Sequence, residues 1–158
     1  MSDAIKTHMQ TSAQVKLAVA ESCSEAAMQA AEAIALCLKQ GGKLLLCGNG
    51  GSAGDAQHLA AEFVATLDHQ RPRAGLAALA LTTDTSFITA YSNDFGFEGI
   101  FERQLQALGQ SGDVVIGIST SGNSANVNKA MAYARANQMI TIAMTGAGGG
   151  NLASHADI

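Results

Sequence analysis

Four short apolar runs constrain this chain more than any other feature: Lys43–Cys47 (KLLLC), Leu76–Leu81 (LAALAL), Asp113–Ser119 (DVVIGIS) and Met139–Thr145 (MITIAMT). None alternates apolar with polar residues, so each reads as a strand buried on both faces, the pattern of a parallel sheet. Between them lie stretches that read as helices: Ser52–Leu67, Asp84–Ser92 with Gly99–Leu108, and Ser124–Asn137. Strand and helix in alternation predict an α/β fold, a doubly wound parallel sheet flanked by helices.

The first forty residues read as a helical arm. Ser22 with Glu25 three positions on is a capping-box pattern, which predicts a break and a second helix over Cys23–Gln40, stopped by Gly41-Gly42. Residues 1–42 are thus expected to be N-terminal helices suited to an oligomer surface, and 43–158 the α/β core of one domain. Ala156-Asp157-Ile158 reads as the start of a fifth strand, which predicts that more chain follows.

Composition removes several function classes. A net charge of −4 with no Lys/Arg cluster argues against nucleic acid as a partner. No apolar run approaches the roughly 20 residues of a membrane span. Met1–Thr11 lacks the apolar stretch of a signal peptide. The three cysteines, Cys23, Cys37 and Cys47, have no CxxC or metal spacing and read as small buried hydrophobes in a reducing compartment. A cytoplasmic protein is expected.

Two loops carry chemistry. The first, Asn49-Gly50-Gly51-Ser52, leaves a buried strand and opens straight into a helix. Such a helix N-terminus presents unpaired N–H groups and a partial charge of about +0.5, which suits a phosphate. Further along that helix His58 and Glu62 stand four residues apart and share a face. The second loop, Ser119-Thr120-Ser121-Gly122-Asn123-Ser124, also runs from strand to helix and carries four hydroxyls. With the common strand order 2-1-3-4-5, strands one and three are neighbours where the order reverses, and ligands bind in that crevice. Both loops are expected there. Neither has a dinucleotide or P-loop pattern. Taken alone, the His–Glu pair is an ordinary surface contact, and Asn93-Asp94 before Phe95-Gly96 reads as a turn.

GNGGSAGDAQHLAAEF, TTDTS, SNDFGF, GDVVIGISTSGNSANV and TGAGGG, in this order, resemble the phosphoheptose isomerases of the sugar isomerase (SIS) superfamily. STSGNS marks only a phosphosugar-binding SIS domain, while QHLAAEF with NDFGF narrows the resemblance to the heptose enzymes. It implies a SIS-type sheet of flavodoxin-like order and interconversion of D-sedoheptulose 7-phosphate with D-glycero-D-manno-heptose 7-phosphate, for lipopolysaccharide core heptose. It also implies a cytoplasmic homotetramer with active sites between subunits and one zinc ion per site. By motif position, Asn49, Gly50, Gly51 and Ser52 would contact the sugar phosphate, with Ser52 also capping its helix. Ser119, Thr120, Ser121 and Ser124 would hold the phosphate, and Asn93 and Asp94 would face the sugar hydroxyls. His58 and Glu62 would ligate zinc, with Glu62 also contacting substrate and acting as the catalytic base.

The family completes its site with a glutamine and a histidine from a helix after the fifth strand, so further zinc ligands are expected beyond residue 158. Family members also carry a basic residue near Thr66, where the candidates here are Arg71 and Arg73. The alternative is a non-catalytic tetrameric SIS protein that binds a replication initiator protein, and the carboxylate at Glu62 weighs against it. A phosphosugar-sensing SIS module is a third reading, but such modules come joined to a DNA-binding domain.

Overall fold

The computed structural model describes residues 2–158. Its packing divides into two units, one ending at Glu32 and one spanning Ala33–Ile158. A single helix, α1 (Ser2–Lys39), replaces the expected pair. The supposed capping serine does not cap: Ser22 Oγ donates to the Ala18 carbonyl at 2.8 Å, one turn back. Thr11 and Ser24 bond back to Thr7 and Ala20 in the same way. With their hydroxyls turned inward along the helix and alanines around them, these residues do not compete with helical backbone. In the first unit Ile5, Met9, Val15, Leu17, Val19 and Met28 are all largely exposed.

In the second unit β1 (Leu44–Gly48), β2 (Ala78–Ala80), β3 (Val114–Ser119) and β4 (Ile140–Thr145) form one parallel sheet in the order β2-β1-β3-β4. All four expected strands are present, in the expected order. Leu45 pairs with Val115, and Val115 with Thr141. Every residue of β1 and β3 is buried, as their unbroken apolar runs require. Between the strands lie α2 (Gly51–Val64), α3 (Thr85–Phe95), α4 (Ile100–Leu108) and α5 (Ala125–Ala136). Short 3-10 helices occupy Phe97–Gly99 and Gly150–His155. Asp84 caps α3 by accepting the Phe87 N–H at 3.0 Å. Leu45, Phe101, Leu105, Val115, Val127, Met131 and Leu152 form the centre of the core.

Ala156–Ile158 lies along the edge of β4 opposite β3. Asp157 N donates to the Thr141 carbonyl at 2.9 Å and Ala143 N to the Ile158 carbonyl at 3.0 Å. This is the position a fifth strand would take.

The amino-terminal end of the sheet is tied by Asp113, which is 1% exposed. Its carboxylate accepts the N–H groups of Lys43 (3.0 Å) and Gln110 (2.8 Å) and pairs with the Lys43 ammonium at 2.7 Å. Asp113→Asn turns one acceptor into a donor facing another donor and removes the charge. We expect it to lower unfolding free energy by about 2 kcal/mol, measured by urea titration. A midpoint unchanged from wild type would contradict the role.

Cys37 and Cys47 are buried as expected, but Cys23 is exposed on α1. The arm offers that face of the helix nothing to pack against within its own unit. Burial pushes the Cys47 thiol up to about 12. Burial, then the nearby Asp113 carboxylate, raises Cys37 as well. At pH 8 both stay protonated and shielded, so iodoacetamide should spare them in the native protein and modify them in urea. Alkylation of Cys47 in the folded protein, read by peptide mass spectrometry, would contradict this.

Candidate active site

Two backbone constraints build the first wall. A Cβ at Gly48 would meet the Ser52 carbonyl at 2.7 Å and the Ser52 Cβ at 2.8 Å, so glycine lets α2 start directly above the end of β1. Gly50 has φ +56°, a left-handed conformation that suits glycine. Gly50 is also the residue before α2, so Ser52 sits inside the first turn rather than capping it. Its N–H donates to the Asn49 carbonyl at 3.0 Å.

The second wall follows β3. Gly122 N donates to the Ser119 carbonyl at 3.0 Å, closing a tight turn, and Asn123 N donates to Ser121 Oγ at 3.2 Å. The hydroxyls of Ser119 and Ser124 lie 3.0 Å apart. The 146–152 segment, with its run of glycines, braces this turn from behind: Gly146 N donates to the Thr120 carbonyl at 3.0 Å and Leu152 N to the Gly122 carbonyl at 2.9 Å. Gly122, at φ +66°, packs so closely that a Cβ would run into the Gly149 carbonyl.

The walls face each other across a cleft of about 310 Å3 lined by Asn49, Ser52, Ile118, Ser119, Thr120, Ser121 and Ser124. Gly50 and Gly51 are exposed in the same turn. Apart from Ile118 the lining side chains are hydroxyls and an amide, with no lysine or arginine among them. An anion there would be held by hydroxyl donors and by the unpaired N–H groups and dipole at the start of α5.

The other expected site residues stand apart from this cleft. His58 Nε2 and Glu62 Oε1 are 3.7 Å from each other, with side chains 76% and 30% exposed. Glu62 lies ten residues beyond Ser52, about 15 Å along the axis of α2. Asn93 and Asp94 occupy the last turn of α3, not a loop, and are exposed, with Asn93 Nδ2 donating to Asp94 Oδ1 at 2.8 Å. The helix continues past them because the rings of Phe87, Tyr91 and Phe95, one turn apart, pack against one another, with centroids 5.4 and 5.0 Å apart in the two pairs. It stops at Gly96, φ +94°. Arg73 is spent on the end of α2, its guanidinium donating to the Glu62 and Phe63 carbonyls at 2.7 and 2.8 Å. Arg71 pairs with Asp68 at 2.9 Å.

Imidazole and carboxylate are donors that suit zinc, and four-residue helical spacing puts them on one face. They are two donors where a catalytic zinc takes three from the protein. Among the described residues no group of three or more His, Cys, Asp or Glu converges as a metal site.

A family model described as SIS domain matches residues 7–146, which include both loops and every candidate residue above. Phosphoheptose isomerase from Thiobacillus denitrificans is 53% identical over 155 residues, 98% of this chain and 78% of that protein. The phosphoheptose isomerase from Neisseria meningitidis serogroup B is 47% identical over 154 residues, 98% of this chain and 77% of that protein. The chain belongs to the phosphoheptose isomerase family. Solved structures agree with this. That of the Neisseria gonorrhoeae phosphoheptose isomerase superposes with a TM-score of 0.90 at 46% identity, over 99% of this chain and 80% of that one. The Francisella tularensis phosphoheptose isomerase gives 0.91 at 40% identity, over 98% and 80%. The family's SIS fold is the sheet and helices described above.

One contributor escaped the sequence reading. Asn126, in the first turn of α5, is 3% exposed and bridges to Asn49. An asparagine just inside a helix is the only trace of it in the sequence, and it reads as ordinary helix-start chemistry.

Proposed function

We propose that this chain is an aldose–ketose isomerase that converts D-sedoheptulose 7-phosphate to D-glycero-D-manno-heptose 7-phosphate, supplying lipopolysaccharide core heptose. The observation that carries the reading is that the Asn49–Ser52 turn and the Ser119–Ser124 loop meet in one hydroxyl-lined cleft, in a member of this family. Ser119, Thr120, Ser121 and Ser124 donate to the phosphate oxygens, and the start of α5 adds its dipole. Asn49, Gly50, Gly51 and Ser52 bind along the sugar, and Asn93 and Asp94, which stand apart from the cleft of their own chain, meet its hydroxyls in a site shared between copies.

Glu62 takes a proton from C1 of the ketose. The released electron pair forms the C1–C2 double bond, and the C2 oxygen is protonated to give an enediol. Return of a proton to C2, with loss of the C1 hydroxyl proton, gives the aldose. A base of this kind contributes typically about 10²–10⁴-fold to the rate.

His58 and Glu62 would hold one zinc ion per site as two of its ligands, and that ion would polarise the substrate oxygen. A carboxylate that gives its electrons to a metal is a poorer base, so its proton-transfer role dominates in this reading. His58→Ala is expected to lower zinc per chain, read by elemental analysis. Unchanged stoichiometry would reject the ligand role.

The protein works as a cytoplasmic homotetramer, each site drawing on neighbouring copies. The distance of Glu62 along α2 and the exposure of His58 support a shared site. Among the described residues no helix is long and apolar enough to cross a membrane. No relative named above supports the replication-initiator alternative. Calorimetric titration tests the phosphate anchor: sedoheptulose 7-phosphate should bind at least about a hundredfold more tightly than sedoheptulose. Equal affinity would sink it.

A further inference from the structure

One buried residue outside the cleft lining fixes an atom pattern inside it. Asn126 Oδ1 accepts the Val127 N–H at 2.9 Å and the Asn49 Nδ2 group at 2.9 Å, while Asn126 Nδ2 donates to Asn49 Oδ1 at 2.9 Å. A backbone N–H can only donate, so the Asn126 atom facing Val127 must be oxygen. That choice sets the orientation of the Asn126 amide and, through the reciprocal pair, that of Asn49. Asn49 is left with one N–H and one Oδ1 lone pair for the cleft it lines. The pair also joins the two walls, since Asn49 follows β1 and Asn126 belongs to α5.

We propose that Asn126 is a positioning residue: it locks the Asn49 carboxamide so that a defined donor and acceptor meet the hydroxyl or carbonyl groups of the bound sugar phosphate. This rests on the function proposed above, and it assigns specificity for the sugar, rather than the phosphate, to the asparagine bridge. The cleft hydroxyls rotate to suit an anion, whereas a locked amide discriminates between a donor and an acceptor on the substrate.

The test is a double-mutant cycle on sedoheptulose 7-phosphate isomerisation with wild type, Asn49→Ala, Asn126→Asp and the double variant. Aspartate at 126 keeps the acceptor for Val127 N–H but sets an oxygen against Asn49 Oδ1. Misplacing a substrate contact in this way should lower kcat/KM by about ten- to hundredfold. Melting should stay cooperative, because the helix start keeps its bond. In the Asn49→Ala background the same change should cost nothing further. An equal loss in both backgrounds would mean that the added charge simply repels phosphate, and would overturn the proposal. If Asn126→Asp does not fold, Asn126→Ser takes its place in the cycle, since its hydroxyl is too short to bridge.

Proton NMR of the Asn49 side-chain amide gives a readout independent of turnover. The Asn49 amide proton bonded to Asn126 Oδ1 should exchange slowly in wild type and rapidly in Asn126→Ser, which removes that acceptor, and rapid exchange in both would overturn the bridge. Wild-type protein that fails to act on sedoheptulose 7-phosphate, yet shows Asn126-dependent protection of Asn49, would refute the proposed function and support the bridge.

Discussion

Glu62→Gln should reduce kcat for sedoheptulose 7-phosphate isomerisation by about 10²–10⁴-fold, the range for loss of a positioned general base. The amide keeps the size of the side chain and its place on α2, but it cannot accept a proton from carbon. Glu62 is 30% exposed and, among the described residues, its carboxylate has only the 3.7 Å approach to His58 as an ion pair, so little of the fold depends on its charge. KM should therefore change by less than about threefold and melting by a few degrees at most, since surface changes away from special features stay within about 0.5 kcal/mol. If kcat stays within tenfold of wild type, Glu62 is not the base.

Gly122→Ala should disable the phosphate loop. At φ +66° an L-residue is strained by about 1–3 kcal/mol, and the new Cβ would also press on the Gly149 carbonyl. Overpacking against a fixed neighbour adds about 1–3 kcal/mol. The total, about 2–6 kcal/mol, exceeds what a turn can absorb without moving. Relief requires the 119–124 turn to part from the 146–152 segment, breaking the Leu152 N to Gly122 carbonyl bond. Unfolding in urea should shift to lower concentration, and KM for the sugar phosphate should rise more than kcat falls. A variant of native stability and KM would show that the close packing of these two segments is unimportant.

The sheet was legible because its strands are buried on both faces. Leu44–Gly48 and Val114–Ser119 have no exposed side to force an alternating pattern, and that uniformity points to a parallel sheet. The meeting of the two loops was legible for the same reason, since strand order fixes which loops are neighbours. Side-chain hydrogen bonds were not. Whether Ser22 caps a helix or bonds back into one depends on the backbone around it, and the same Ser-x-x-Glu pattern allows both. Asn93-Asp94 looks like a turn until Tyr91 packs against Phe95 and carries the helix past it. Asn126 was invisible because its partner is 77 residues away, and only the β1–β3 pairing brings the two together. The distance from the cleft to His58 and Glu62 follows from the rise of α2, which a shared motif does not reveal.

The central claim is that this cleft serves an aldose–ketose isomerisation of a seven-carbon sugar phosphate. It is tested most directly by incubating the purified full chain with sedoheptulose 7-phosphate and following the sugar by NMR. The account predicts that aldoheptose 7-phosphate signals grow to a constant ratio with the ketose, and that the Glu62→Gln protein does not produce them. Folded protein that binds the ketose phosphate and leaves it unchanged would contradict the account.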